Sequence, residues 1–102
     1  MGVVVVNKVS AVDLNNFGDY IIIDIRSNYY YNNGHIDGAI NIPYYNLLNN
    51  YSHYLDKNHK YYLYCDYGEQ SEEVANRLSL FGYNVYSLDG GYLEYKNKLG
   101  KY

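Results

Sequence analysis

The sequence predicts an α/β protein with a central parallel sheet of about five strands and helices on both faces. Three observations carry this expectation. Short continuous apolar runs (Tyr20 to Ile23, Tyr61 to Tyr64, Val85 to Leu88) alternate along the chain with segments in which apolar residues recur at helical spacing. The runs show no inside-outside alternation, which suits parallel strands covered on both faces. Glycines mark the hand-overs at Gly34, Gly38, Gly68, Gly82 and Gly90-Gly91. Strands alternating with helices of these lengths imply βα units.

In chain order, Val3 to Val6 is a β-branched run and reads as the first strand. Ser10 offers a cap for a short helix ending near Phe17 and Gly18. Tyr20 to Ile23 is the second strand, with Asp24 and Arg26 at its carboxyl end, the edge where open α/β sheets bind ligands. Ser27 to Asn33 reads as a short helical segment, and Gly34 to Gly38 as a turn into a brief strand at Ala39 to Ile42. Pro43 suits the first position of the next helix, which continues from Tyr44 to Tyr51 with Leu47, Leu48 and Tyr51 on one side. Asp56 to His59 is a polar connection into the central strand. After it, Val74, Ala75, Leu78 and Phe81 mark the buried side of a helix closed by Gly82. Val85 to Leu88 is the last strand. Asp89-Gly90-Gly91 then turns into a final helix, where Tyr92, Leu93, Tyr95 and Leu99 can pack and Lys96 and Lys98 face water.

A length of 102 residues fits one domain, read as residues 1–102. The composition, 48% hydrophobic and 19% charged, is that of a globular chain rather than a disordered one. A net charge of −3 with no cluster of Lys or Arg excludes non-specific nucleic-acid binding, which needs a basic face. The apolar run at Val3 to Val6 is too short to span a membrane or to form the core of a signal peptide, so the chain reads as cytoplasmic and without a membrane partner. Seventeen tyrosines are scattered over every kind of segment, which points to their use as general apolar residues rather than to one stacking platform.

The chemistry centres on Cys65, the only cysteine. No disulfide within the chain and no CxxC zinc or dithiol site can therefore form, and no histidine spacing suggests a metal. Cys65 falls where the strand period ends and, six residues on, the helical period begins. Between them, Asp66, Tyr67, Gly68, Glu69, Gln70 and Ser71 read as a tight loop whose backbone N–H groups can aim inward. A helix N-terminus adds unpaired N–H groups and about +0.5 of an elementary charge. A sulfur anion is the natural occupant, and the thiolate is the nucleophilic form of cysteine. A cysteine that merely fills the core is the competing reading.

In order along the chain, Asp24-Ile25-Arg26, Gly34 to Pro43 (GHIDGAINIP), Tyr64 to Ser71 (YCDYGEQS), Leu88 to Gly91 (LDGG) and Tyr95 resemble the signatures of the rhodanese-like (sulfurtransferase) family. The resemblance covers nearly the whole chain and implies a free-standing, single-domain rhodanese-like fold. It further implies a sulfur transfer in two halves. Cys65 takes sulfane sulfur from a donor, holds it as a persulfide, and yields it to a second nucleophile. The partner is then a small sulfane-sulfur donor or a persulfide-bearing protein, and no cofactor is needed. Loop N–H groups from Asp66 to Ser71 would hold both thiolate and persulfide as an oxyanion hole holds oxygen. Phosphatases of this fold have a loop one residue longer that ends in arginine. Here five residues separate Cys65 from Ser71 and none is basic, so phosphate fits poorly.

The loop also departs from members that use thiosulfate, many of which carry Arg or Lys in it. Asp66 and Glu69 stand inside this loop, with Glu72 and Glu73 just beyond. Two unit charges about 6 Å apart at an effective dielectric of about 20 interact by roughly 3 kcal/mol, so a small dianion is repelled and a persulfide donor is expected instead. Tyr30 stands where the family often has Glu, and Tyr95 where it often has Trp. Arg26 is the nearest expected cation, although it and Asp24 are read first as residues that fix the sheet edge. His35 could form a thiol-hydrolase dyad with Cys65, with Asp24 completing a triad; a histidine between glycine turns more simply anchors the loop. Tyr67 lines the pocket mouth or covers the loop. A rhodanese-like binding module without catalysis is the rival function.

Overall fold

A computed structural model describes residues 8–11, 14 and 19–99. The elements are β1 (Lys8–Val9), β2 (Ile21–Asp24), α1 (Asn28–Asn32), β3 (Ile40–Asn41), α2 (Tyr44–Asn49), α3 (Tyr51–Tyr54), β4 (Lys60–Tyr64), α4 (Glu69–Leu80), β5 (Asn84–Leu88) and α5 (Gly91–Leu99). The five strands form one sheet in the order β1-β5-β4-β2-β3, and every pair is parallel. The expected α/β architecture is therefore the one found.

Alternation along the central strands sorts side chains onto two faces. Tyr61 and Leu63 of β4 join Ile23, Val74, Ala75, Leu78 and Val85 in one buried cluster, beneath α2 and α4. Tyr62 and Tyr64 face the other way and join Val9, Leu88 and Tyr95 of α5. Seven tyrosines among the buried or half-buried residues of this second cluster confirm their use as large apolar groups.

Several boundaries differ from expectation. The strand expected at Val3 to Val6 lies outside the described residues, as does most of the helix expected after Ser10; the described edge strand is Lys8–Val9. The helix expected from Pro43 to Tyr51 breaks at Asn50, which takes φ −140° and ψ 32°, so that α3 starts afresh at Tyr51. Leu47 is nonetheless fully buried, with Leu48 and Tyr51 packed against the same core. Phe81, expected on the buried side of α4, is 48% exposed because the helix ends at Leu80. It stacks on Tyr51 with ring centroids 5.3 Å apart. Gly82 closes α4 as expected, at φ +96°, with Gly82 and Tyr83 N–H groups returning to the carbonyls of Ser79 and Leu78. Leu93 of α5, expected to pack, is exposed, whereas Lys96 lies 4.9 Å from the Tyr92 ring centre instead of standing free in water.

The strand order reverses between β2 and β4. Chain leaving β2 goes outward to β3, and chain leaving β4 goes to β5 on the opposite side. Their carboxyl ends therefore leave a crevice, the place where such sheets hold ligands. It falls between Arg26 and Cys65.

The buried phenols give the fold a predictable base sensitivity. Burial first, then the neighbouring Asp24, holds the Tyr64 hydroxyl well above the usual phenol range; burial likewise raises Tyr20 and Tyr62. A group whose folded value lies above its unfolded value of 10.0 stabilises the fold below that pH and loses the contribution as pH rises further. Stability measured by urea unfolding is expected to fall steadily from about pH 10 upward, with a shallower slope in Tyr64→Phe. An unchanged slope in that variant would remove Tyr64 as a source.

Candidate active site

Cys65 is the first residue after β4, and its sulfur is the focus of the crevice. The Gly68 N–H donates to Sγ at 3.2 Å and the Ser71 N–H at 3.4 Å. Two amides thus converge on one sulfur, with the twelve-residue helix α4 starting immediately beyond. Gly68 makes this turn possible at φ +101°, where a side chain would be strained and its Cβ would meet the Gly90 nitrogen at 3.0 Å. The expected loop is shorter than the sequence suggests. Glu69, Gln70 and Ser71 already belong to the first turn of α4, so only Asp66, Tyr67 and Gly68 are loop, and of the six expected N–H groups two bond the sulfur.

Below the sulfur lies a hydroxyl pair that the sequence reading missed. The Cys65 thiol donates to Ser71 Oγ at 3.5 Å, Ser71 Oγ donates to the Gly68 carbonyl at 3.2 Å, and Ser71 and Ser87 hydroxyls share a 2.7 Å hydrogen bond. Ser71 and Ser87 are both buried. Ser87 sits two residues after Val85 on the α4 side of β5, a register that no local signal reveals.

Asp24 and Arg26 fix the other wall. Arg26 Nε donates to both Asp24 oxygens at 3.0 and 3.1 Å, Nη2 donates to Oδ2 at 2.7 Å and to the Gly34 carbonyl at 2.6 Å, and the Arg26 backbone N–H also reaches Oδ1. The guanidinium lies over Tyr92 at 4.4 Å and near Tyr64 at 5.6 Å. Burial alone would make its proton easier to lose; the hydrogen bonds and charge of Asp24 outweigh burial and hold it above its ordinary range. Its remaining arm, Nη1, reaches Asp66 Oδ1 at 3.4 Å. Arg26 thus lines the crevice, yet most of its donors are engaged.

The carbonyls of the cysteine loop are turned away from the sulfur by α5. Tyr92 N–H donates to the Cys65 carbonyl at 2.8 Å and Leu93 N–H to the Asp66 carbonyl at 3.1 Å. His35 stands apart from this centre. It is exposed, its Nδ1 lies 2.9 Å from the Tyr31 carbonyl, and its ring stacks on Tyr31 at 3.9 Å, so it anchors the loop after α1. No hydrogen bond joins it to Cys65 among the described residues.

A pocket of about 460 Å³ opens over the sulfur. Cys65, Arg26, Asp66, Tyr67, Glu69 and Gln70 line it together with Tyr30, Tyr44 and Tyr45, which the sequence reading did not place. Cys65 itself is 6% exposed and packs at the edge of the core cluster, so the sulfur forms the pocket floor rather than projecting from it. Glu73 of α4 accepts a 2.7 Å hydrogen bond from the hydroxyl of the lining residue Tyr44, which raises the phenol above its ordinary range. No three His, Cys, Asp or Glu side chains are grouped to hold a metal among the described residues, and no helix there is long and apolar enough to cross a membrane.

Residues 9–98 match the family model of the rhodanese-like domain. The chain belongs to the rhodanese-like family. It is 40% identical over 75 residues to the thiosulfate sulfurtransferase GlpE of Shewanella oneidensis, an alignment covering 70% of this chain and 70% of the relative. It is 33% identical over 95 residues to the tRNA uridine(34) hydroxylase of Buchnera aphidicola, covering 84% of this chain but 30% of that longer protein. The crystal structure of a rhodanese-related protein from Thermoplasma volcanium superposes with a TM-score of 0.83 at 28% identity, covering 90% of this chain and 92% of that one. The rhodanese-like fold and the resemblance drawn from the motifs are thereby established.

Proposed function

We propose that this rhodanese-like chain is a sulfurtransferase that carries sulfane sulfur as a persulfide on Cys65 and passes it to a thiol or other nucleophile. The observation that carries the reading is the convergence of the Gly68 and Ser71 N–H groups on Sγ at the floor of an open pocket. Preorganised donors of this kind favour negative charge on sulfur both before and after it gains a second sulfur. The relatives are named for sulfur transfer and for tRNA hydroxylation, so the choice rests on the site.

In the first half-reaction the Cys65 thiolate attacks the outer sulfur of R–S–SH. A sulfur–sulfur bond forms to Cys65, the donor's own sulfur–sulfur bond breaks, and R–S⁻ departs with its electron pair. In the second half, an acceptor thiolate attacks the outer sulfur on Cys65 and regenerates the cysteine thiolate. No oxidant or reductant enters. The donor is a persulfide rather than thiosulfate, because Asp66 and Glu69 face the pocket and Arg26 is already bonded to Asp24 and Asp66. The acids and the low exposure of Cys65 favour the rival reading of a binding module.

Intact-mass measurement after incubation with a persulfide donor separates the two. The expected result is a gain of one sulfur in wild type, removed by an acceptor thiol and lost in Cys65→Ser. A wild type that never gains sulfur from either a persulfide or thiosulfate would leave only the binding module.

A further inference from the structure

We propose that the pocket over Cys65 receives a polypeptide segment in which the reacting cysteine is flanked by lysine or arginine. The inference rests on the persulfide reading and adds to it the charge and kind of the sulfur partner.

The first ground is the charge left at the mouth once internal pairs are subtracted. Glu72 is paired with Lys8 at 3.1 Å, and Glu73 lies 3.8 Å from Arg77 and accepts from Tyr44. Asp66 shares Arg26, whose tighter bonds go to Asp24. Glu69 lines the pocket and has no ion pair among the described residues. Among the described residues Arg26 is the one cation lining the pocket, and its side chain is 6% exposed. The mouth is therefore negative, and the chain as a whole carries −3.

The second ground is independent of charge count. Three tyrosines from three different segments line the same opening and remain open to solvent: Tyr30 of α1 at 53%, Tyr45 of α2 at 74% and Tyr67 of the cysteine loop at 69%. Aromatic faces attract ammonium and guanidinium groups, and they add apolar contact for the stems of long basic side chains. Carboxylates beside exposed rings suit a cation and disfavour a phosphate or sulfonate. RNA, whose affinity comes from its phosphates, is a poor occupant on the same ground.

The size of the opening leaves room for a polypeptide segment as well as for its reacting sulfur. A volume of about 460 Å³ is far more than one small sulfur anion fills. A cysteine reaching the floor with basic neighbours at the rim occupies both parts. A nearby ammonium also stabilises the thiolate that departs when Cys65 takes the outer sulfur.

The test compares peptide persulfides of equal length in which cysteine is flanked by Lys, by Ser or by Glu. Beside them, two thiol-reactive methanethiosulfonates, one carrying trimethylammonium and one sulfonate, report the field at Cys65 without any sulfane chemistry. Each rate is divided by that of neutral iodoacetamide on the same protein. At low salt the Lys peptide is expected to load Cys65 at least about tenfold faster than the Glu peptide, within the range electrostatic steering provides. The cationic reagent should lead the anionic one in the same order, and both ratios should shrink with added salt. Glu69→Lys should bring the ratios close to one. Equal rates for all charges in wild type, or ratios unmoved by Glu69→Lys, overturn the inference. If the small reagents keep the charge order while no peptide transfers sulfur, the persulfide reading fails, and the inferred sulfur partner falls with it. A preference for the small cationic reagent with none among the peptides overturns the polypeptide partner.

Discussion

Replacing Asp24 by alanine is expected to lower the stability of the fold by about 3–5 kcal/mol, the usual loss when one partner of a buried ion pair is removed. Asp24 is fully buried at the end of β2, and Arg26 is 7% exposed. Four Arg26 hydrogen bonds to the carboxylate within 3.1 Å would vanish together. The guanidinium would keep the Gly34 carbonyl, the long contact to the half-exposed Asp66 and the faces of Tyr92 and Tyr64, and no carboxylate closer than 3.4 Å. A buried cation with so little compensation is the expensive part. For a domain of this size each kcal/mol corresponds to about 4–8 °C, so thermal unfolding should begin tens of degrees lower. Asp24→Leu combined with Arg26→Met removes both charges and keeps apolar volume, and it should recover most of the loss. A decrease below about 1 kcal/mol in Asp24→Ala, measured by urea unfolding, would contradict this account.

The same pair shows how far a sequence can be read. Asp24 and Arg26 were legible as residues of the sheet edge because a continuous apolar run ended just before them, and the structure joins them to each other. Cys65, Gly68 and Gly82 were legible for the same reason: each lies at a change of period, where backbone geometry is constrained locally. Ser87 was not. Its place under Ser71 depends on the register between β5 and β4 and on the position of α4 above them. Nor was Tyr64 legible as more than core, although its hydroxyl receives the Ile36 N–H at 3.0 Å across 28 residues of sequence. Phe81 and Leu93 misled because helical spacing says nothing about where a helix ends or which part of a face lacks a neighbour. The tyrosine-walled mouth was invisible for a related reason. Tyr30, Tyr45 and Tyr67 come from three segments, and only the switch in strand order brings them to one opening.

Gly91→Ala is expected to destabilise the fold by about 2–5 kcal/mol and to slow native-state alkylation of Cys65 at least about tenfold, by combining backbone strain with overpacking. Gly91 opens α5 at φ +66°, a conformation that costs a residue with Cβ about 1–2 kcal/mol. An added Cβ would lie 2.6 Å from the Asp66 carbonyl carbon and oxygen and from the Cys65 oxygen. These are backbone atoms and cannot swing aside. Relief requires α5 to retreat from the cysteine loop, which breaks the Tyr92 and Leu93 N–H bonds to the Cys65 and Asp66 carbonyls. Those bonds keep the carbonyls turned outward, and with them the Gly68 and Ser71 N–H groups aimed at the sulfur. Gly38 supplies the control. It also has positive φ, +85°, but an added Cβ meets nothing within 4 Å, so Gly38→Ala should show the strain without the clash. Urea unfolding and iodoacetamide labelling of the two variants separate the contributions. If Gly91→Ala loses no more stability than Gly38→Ala and leaves Cys65 as reactive as in wild type, the contact between α5 and the loop does not hold the sulfur's donors in place.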